Sequence, residues 1–217
     1  MKRADARRSP LFEGLNDSDY AKAREILSAF EKRYSKGEFL NRLNEPLPNF
    51  GLVLSGTVQV GMDDIDGYPI LMANVESGGM FGESLCLLKR EACVSIRAVT
   101  PCEILWMNAR ALQKGGALTP LEAEVTNRLL SILARRTLSM NNRVQILSRT
   151  HLRDRVKVFL SQYEQRFGPK FEIPFSRTDF AMYLGANRSA LSRELKRMRD
   201  EGMIQYEKRT FEILSKS

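Results

Sequence analysis

The sequence is poor in the residues that do most acid–base and redox chemistry. A single histidine, His151, and three cysteines are spread over 217 residues. One histidine argues against a His-based catalytic triad and against a multi-His metal site. Cys86, Cys93 and Cys102 are an odd number without zinc or CxxC spacing, so reduced thiols in a cytoplasmic protein are the expectation. No run of 18 apolar residues occurs, so no membrane partner or membrane-spanning helix is expected. The opening stretch Met1-Lys-Arg-Ala-Asp-Ala-Arg-Arg8 has no apolar segment behind it, so no signal peptide is expected. Walker, HExxH and G-x-S-x-G patterns are all missing, and an enzyme is not the expected reading.

Positive charge is plentiful, and it is uneven. Lys and Arg number 34 against 26 Asp and Glu, a net charge of +8. The last 70 residues hold 15 basic and 9 acidic side chains, and the preceding 147 hold 19 and 17. Most of the surplus therefore sits in the C-terminal third, which favours a polyanion as partner.

That third carries the most specific pattern in the chain. From Phe175 to Gly202 the residues spell two helices around a tight turn. Ser176 can cap the first helix, with Asp179 in capping-box register, and Phe180 and Leu184 form its apolar edge. Gly185 suits the turn, and Asn187 suits the N-cap of the second helix. Leu191, Leu195 and Met198, at spacings of four and three, define a buried stripe. Arg188, Ser189, Ser192, Arg193 and Lys196 lie off it. An arginine fork matches guanine O6 and N7, and short hydroxyls can serve base or phosphate. Met203–Tyr206 and Thr210–Leu214 read as β-strands around a Glu207-Lys208-Arg209 turn, with Lys208 and Arg209 as phosphate contacts. Arg177 and Thr178, at the start of the first helix, join the predicted DNA-binding set.

Upstream, a helix capped by Asp17 or Ser18 is expected, with Tyr20, Ile26, Leu27 and Phe30 as its apolar residues. From Lys36 to Asn108 the period changes to two. Candidate strands are 38–43, 51–54, 57–62, 70–75, 94–99 and 103–107, with Asp66-Gly67 as a hairpin turn. Thr119, Pro120 and Glu122 then start a helix that can run to about Ser148 without Gly or Pro. Val125, Leu129, Ile132, Leu133, Met140, Val144 and Leu147 recur near coiled-coil spacing. About 29 residues would make a rod some 43 Å long, which a symmetric partner helix would cover economically. Another amphipathic helix, 151–167, and a strand over 170–175 lead back to the helix-turn-helix, and a hinge is expected near 148–151.

The helix-turn-helix with its basic hairpin resembles the winged helix-turn-helix of the CRP/FNR family of bacterial transcription regulators. Three upstream motifs resemble that family's β-roll: Lys36-Gly-Glu-Phe39, Leu52-Val-Leu-Ser-Gly-Thr-Val-Gln-Val60, and Gly78-Gly-Met-Phe-Gly-Glu-Ser84 followed by Ile96–Ile104. The resemblance implies an α+β chain. It would have an N-terminal double-stranded β-roll like the cyclic-nucleotide-binding jelly roll over 1–118, a dimerisation helix over 119–148, and the winged domain over 149–217. Val125, Leu129, Ile132, Met140 and Val144 would then face a second copy. The implied function is a cytoplasmic homodimer that binds double-stranded DNA at a near-palindromic operator, and RNA polymerase if it activates. The alternative is a cyclic-nucleotide-binding regulatory module. In cyclic-nucleotide-binding relatives Phe-Gly-Glu opens a phosphate-binding segment, and an Arg-Ser or Arg-Thr pair follows about ten residues later. Gly82 and Glu83 match the first part, beside Ser84, but Ala92-Cys93 stands where the pair should be. A bound phosphate would lack its bidentate partner. No cofactor is identified, cAMP is not the expected effector, and a different small molecule in the same cavity stays open. FNR-type iron–sulfur sensing is not expected, because no cysteine cluster lies near the N-terminus. Ser192 and Arg193 match a Ser-Arg pair that relatives use to read bases. Arg188 matches an arginine common at the helix start, and Ser189 replaces a glutamate usual there.

Overall fold

The computed structural model describes residues 3–63, 69–113 and 116–214. The expected Asp66-Gly67 hairpin turn lies outside them. The chain divides into two compact units, Met1–Ala134 and Arg135–Ser217.

The first unit opens with helix α1 (Asp17–Ile26), capped by Asn16, whose side chain accepts from the Asp19 amide. The cap is thus one residue before the expected Asp17 or Ser18. Leu27 ends the helix, so Phe30 is not among its residues. Phe30 starts strand β1 (Phe30–Tyr34), which the sequence pattern did not reveal. Only Tyr34 of this strand is buried and the middle residues are charged, as suits an edge strand. The strands that follow are β2 (Phe39–Asn41), β3 (Phe50–Ser55), β4 (Thr57–Asp63), β5 (Pro69–Glu76) and β6 (Met80–Phe81). A short helix α2 (Glu83–Leu88) precedes β7 (Ser95–Ala98) and β8 (Cys102–Met107). They form two antiparallel four-stranded sheets, ordered β1-β8-β3-β6 and β2-β7-β4-β5.

Alternation splits the buried side chains of β3 and β8 between two clusters. Val53, Ile104 and Trp106 point between the sheets, with Tyr34, Val58, Phe81 and Ile96. The Trp106 indole N–H donates to the Tyr34 hydroxyl at 2.9 Å. Leu52, Leu54, Leu105 and Met107 point the other way, onto Leu11, Phe12, Leu27, Val125 and Leu129. Burial on both faces explains why Leu52-Val-Leu54 reads as an unbroken apolar run.

Helix α3 spans Pro120–Leu147, with the expected Thr119–Glu122 capping box at its start. Val125 (0% exposed) and Leu129 (3%) lie in the β-roll cluster, and Ile132 and Leu133 pack against it half-buried. Val125 and Leu129 are therefore core residues of the β-roll unit, not the exposed contacts for a second copy that were expected. The apolar residues that α3 leaves in solvent are Leu130, Leu138, Met140, Val144 and Leu147. The division between units falls inside α3, upstream of the hinge expected near 148–151. Past it, Ile146 is buried in the C-terminal cluster, and Gln162 donates to the Asn142 carbonyl at 3.4 Å.

The second unit continues with α4 (Leu152–Phe167), β9 (Lys170–Glu172), α5 (Arg177–Tyr183), α6 (Arg188–Asp200), β10 (Ile204–Glu207) and β11 (Thr210–Ile213). Its sheet order is β10-β11-β9, so the short strand after α4 becomes the third strand of the wing. Phe159, Phe171, Phe180 and Phe211 fill the core with Leu191, Leu195 and Met198. Among the described residues no helix is long and apolar enough to cross a membrane, and no group of three His, Cys, Asp or Glu could hold a metal ion.

Candidate nucleic-acid interface

Local chemistry builds the two-helix unit. Ser176 caps α5 by accepting from the Asp179 amide at 3.2 Å. Phe180 and Leu184 are fully buried. Gly185 then turns at φ +63°, and a Cβ there would lie 3.2 Å from Leu147 Cδ2 and 3.3 Å from Arg155 Nη1. The left-handed angle favours glycine, and any larger residue would have to push these two side-chain ends aside by a few tenths of an ångström. Arg155 occupies that space for a reason: its Nη1 donates to the carbonyls of Leu184 and Gly185, each at 3.1 Å, and its Nε to the Arg149 carbonyl at 2.8 Å. It satisfies carbonyls that the end of α5 leaves open. Asn187 caps α6, accepting from the Ala190 amide at 2.8 Å.

On α6 the expected stripe of Leu191, Leu195 and Met198 is buried to 1% exposure or less. Arg188, Ser189, Ser192, Arg193 and Lys196 are all exposed, as expected. Electrostatics separate the two sides of this helix. Arg197 lies 3.9 Å from Glu194, and Arg199 lies 3.4 Å from Asp200 with its guanidinium 5.7 Å from the Tyr206 ring. Among the described residues, Arg188, Arg193 and Lys196 have no carboxylate partner. The uncompensated cations are those on the outward face of the first turns. The Ser189 hydroxyl donates back to Asn187 Oδ1 at 3.3 Å, so it reinforces the cap.

The wing is a two-residue hairpin. Glu207 pairs with Thr210 across a Lys208-Arg209 turn, in which Lys208 adopts φ +51° and both side chains are exposed. Thr178 is exposed, but Arg177 is half-buried. Its guanidinium stands 5.0 Å from the Tyr206 ring and 5.8 Å from Phe211, and its Nη2 donates to the Lys208 carbonyl at 3.2 Å. Burial pulls its pKa below the ordinary guanidinium value, against the pull of Tyr206. Arg177 thus supports the turn that presents Lys208 and Arg209.

A second device was hidden in the sequence. Arg153, near the start of α4, reaches Glu194 at 2.6 Å through Nε and both oxygens of Glu201 at 2.7 and 2.9 Å. These bonds tie α4 to the middle and end of α6 and hold the Glu201 carboxyl below its usual range.

In the β-roll, Gly82 precedes α2 at φ +82° and Glu83, the first residue of α2, is 1% exposed. Ser84 and Cys93 are exposed. Ala92 is fully buried, its amide donating to the Glu45 carbonyl at 2.9 Å and its carbonyl accepting from the Asn44 amide at 2.8 Å. A methyl group thus stands, in the interior, where the resemblance called for a guanidinium. Burial raises the thiol pKa of Cys86, and pushes that of Cys102 up to about 11. Both behave as small hydrophobes, not as activated thiols.

Comparison with known proteins agrees with this layout. The family model "Cyclic nucleotide-binding domain" matches residues 31–115, and "Crp-like helix-turn-helix domain" matches residues 154–217. The chain is 26% identical over 206 residues to a CRP-like cAMP-activated global transcriptional regulator of Mycobacterium tuberculosis, covering 92% of this chain and 90% of that one. It is 29% identical over 207 residues to the cyclic AMP receptor protein of Thermus thermophilus, covering 94% and 92%. The solved structure of the Thermus thermophilus catabolite activator protein is similar, with a TM-score of 0.56 at 27% identity over 94% of this chain and 93% of that one. With a β-roll ahead of a winged helix-turn-helix, and relatives that align with more than nine-tenths of it, the chain belongs to the CRP/FNR family of transcription regulators.

Proposed function

We propose that this regulator acts as a cytoplasmic homodimer that inserts one α6 helix per protomer into successive major grooves of a near-palindromic operator. The observation that carries the reading is the set of unpaired cations, Arg188, Arg193 and Lys196, on the outward face of a rigidly capped helix. In this arrangement Arg193 and Ser192 read base edges, and Lys208, Arg209 and Thr178 contact phosphates. Ser189 offers a hydroxyl where relatives carry a carboxylate, so a cytosine-specific acceptor is missing at that base.

The dimer seam runs along the face of α3 opposite Val125 and Leu129. Ala123, Asn127, Leu130, Ala134, Thr137, Asn141 and Val144 recur at alternating spacings of four and three, the repeat of a two-stranded coiled coil. Two asparagines within it would fix register at some expense of stability. Met140 flanks this line.

Two relatives bear names that state cAMP activation or binding. That property does not transfer here, because buried Ala92 and exposed Cys93 stand where an Arg-Ser or Arg-Thr pair would be needed. The β-roll therefore answers to another signal, which shifts the population of arrangements competent for DNA. RNA polymerase is a partner if the operator lies where the protein activates. Selection of bound duplexes from a random pool, followed by calorimetry with cAMP, tests the proposal. It predicts an enriched inverted repeat and no cAMP heat. Recovery of unrelated sequences would contradict the first part, and saturable cAMP binding the second.

A further inference from the structure

The β-roll carries a surface feature that neither the DNA-binding reading nor the effector cavity uses. Phe39, on the edge strand β2, is 37% exposed, and Leu43 beyond it is 43% exposed. Two guanidiniums lie over the Phe39 ring, Arg42 at 4.3 Å and Arg97 at 5.6 Å. Phe39 and Arg97 are cross-strand partners, and the row continues over the solvent face through Gln59 and Asn74.

The arrangement is held in place. Arg97 Nε donates to the Gly37 carbonyl at 3.0 Å, and a Cβ on Gly37 would lie 3.3 Å from Arg97 Nη2. The backbone there, at φ +88°, leaves room for the guanidinium to lie flat. Neither arginine has a carboxylate partner among the described residues. The acidic neighbours are engaged with backbone: Glu38 accepts from the Ser35 amide and Glu45 from the Arg42 amide. Two exposed guanidiniums are therefore gathered around one apolar ring, with no carboxylate paired to either among the described residues.

We infer that this patch docks an acidic segment of another protein, with carboxylates on Arg42 and Arg97 and an apolar side chain against Phe39 and Leu43. Arginine and aromatic residues are the side chains enriched at interface centres, and the guanidinium fork takes a carboxylate through two parallel bonds. Charge complementarity selects the acidic partner. A nucleic-acid backbone suits the patch less well, because phosphates would leave Phe39 and Leu43 uncovered.

The test uses the intact protein and a fluorescein-labelled peptide, Asp-Asp-Phe-Glu-Leu-Asp, with its amide analogue Asn-Asn-Phe-Gln-Leu-Asn. The inference predicts saturable binding of the acidic peptide, none of the amide analogue, and at least tenfold weakening in the Arg42→Ala/Arg97→Ala double variant. Operator DNA should not compete, and the double variant should still bind operator. A second readout needs no variant: the Arg97 Nε–H and Phe39 ring resonances of the wild-type protein should shift on titration. Absence of binding overturns the inference. So does competition by duplex DNA, loss of the peptide in Arg193→Ala, or equal displacement by inorganic phosphate, which would mark a simple anion site.

Discussion

The reassignment of α3 yields a sharp contrast between neighbours. Leu129 is 3% exposed against the β-roll, and Leu130, one residue on, is 57% exposed. Leu129→Ala removes a packed side chain, and such changes cost about 2–5 kcal/mol of folding stability. Leu130→Ala should cost the protomer little, within about 0.5 kcal/mol. Its effect should fall on the proposed dimer. Fully burying a leucine contributes about 1.5–3 kcal/mol, so covering the remaining half of Leu130 contributes about 1–1.5 kcal/mol per protomer. The symmetric pair gives about 2–3 kcal/mol, a roughly thirty- to 150-fold rise in the dimer dissociation constant. Sedimentation velocity over a dilution series measures that constant, and thermal melts followed by circular dichroism measure the fold. Leu130→Ala should dissociate at higher concentration with an intact fold, and Leu129→Ala should melt early. If Leu130→Ala kept wild-type association, or Leu129→Ala folded normally and dissociated, the assignment of the two faces would be wrong.

Three further outcomes are expected. Arg193→Ala should cost about 1–3 kcal/mol on the selected operator and relax one base position, whereas Lys208→Ala should weaken all duplexes alike, as a competition assay over single-base variants would report. Arg177→Lys cannot reproduce the stacked fork beneath the wing. It should lower the log–log salt slope of binding by up to about two, the share of Lys208 and Arg209, and an unchanged slope would refute its supporting role. Arg153→Ala leaves Glu194, only 13% exposed, with the distant Arg197 alone, at a cost of about 1–3 kcal/mol in urea unfolding. Arg153 depresses the Glu201 pKa in the folded state, so that contribution is present above the ordinary carboxylate range and fades as pH falls through the folded value. The variant should therefore lose less stability on acidification than the wild type.

What could be read from the residues was local. Ser176, Asn187, the Leu191–Met198 stripe and the Thr119–Glu122 box act within a few positions of themselves, and each is present as expected. Apart from the Arg149 carbonyl, Arg153 and Arg155 find their partners across 29 to 48 positions, so no spacing rule could reveal them. Arg177 enters the DNA-binding set on its position alone, because its stacking on Tyr206 exists only once the wing folds back. In α3, two faces carry nearly the same periodicity. Val125 and Leu129 share a period with Leu130 and Val144, and only the position of the β-roll decides which face is inside. Strand β1 was missed because an edge strand buries so little that charged residues fill it.

The central claim is that two copies of α6 enter one face of the duplex at a separation set by paired α3 helices. Inserting half a helical turn, about 5 base pairs, between the two halves of the selected operator tests it most directly. The account predicts that binding falls to the level of a single half-site and that a full-turn insertion is also unfavourable. Undiminished affinity on the half-turn duplex, with one chain bound per half-site independently, would contradict it.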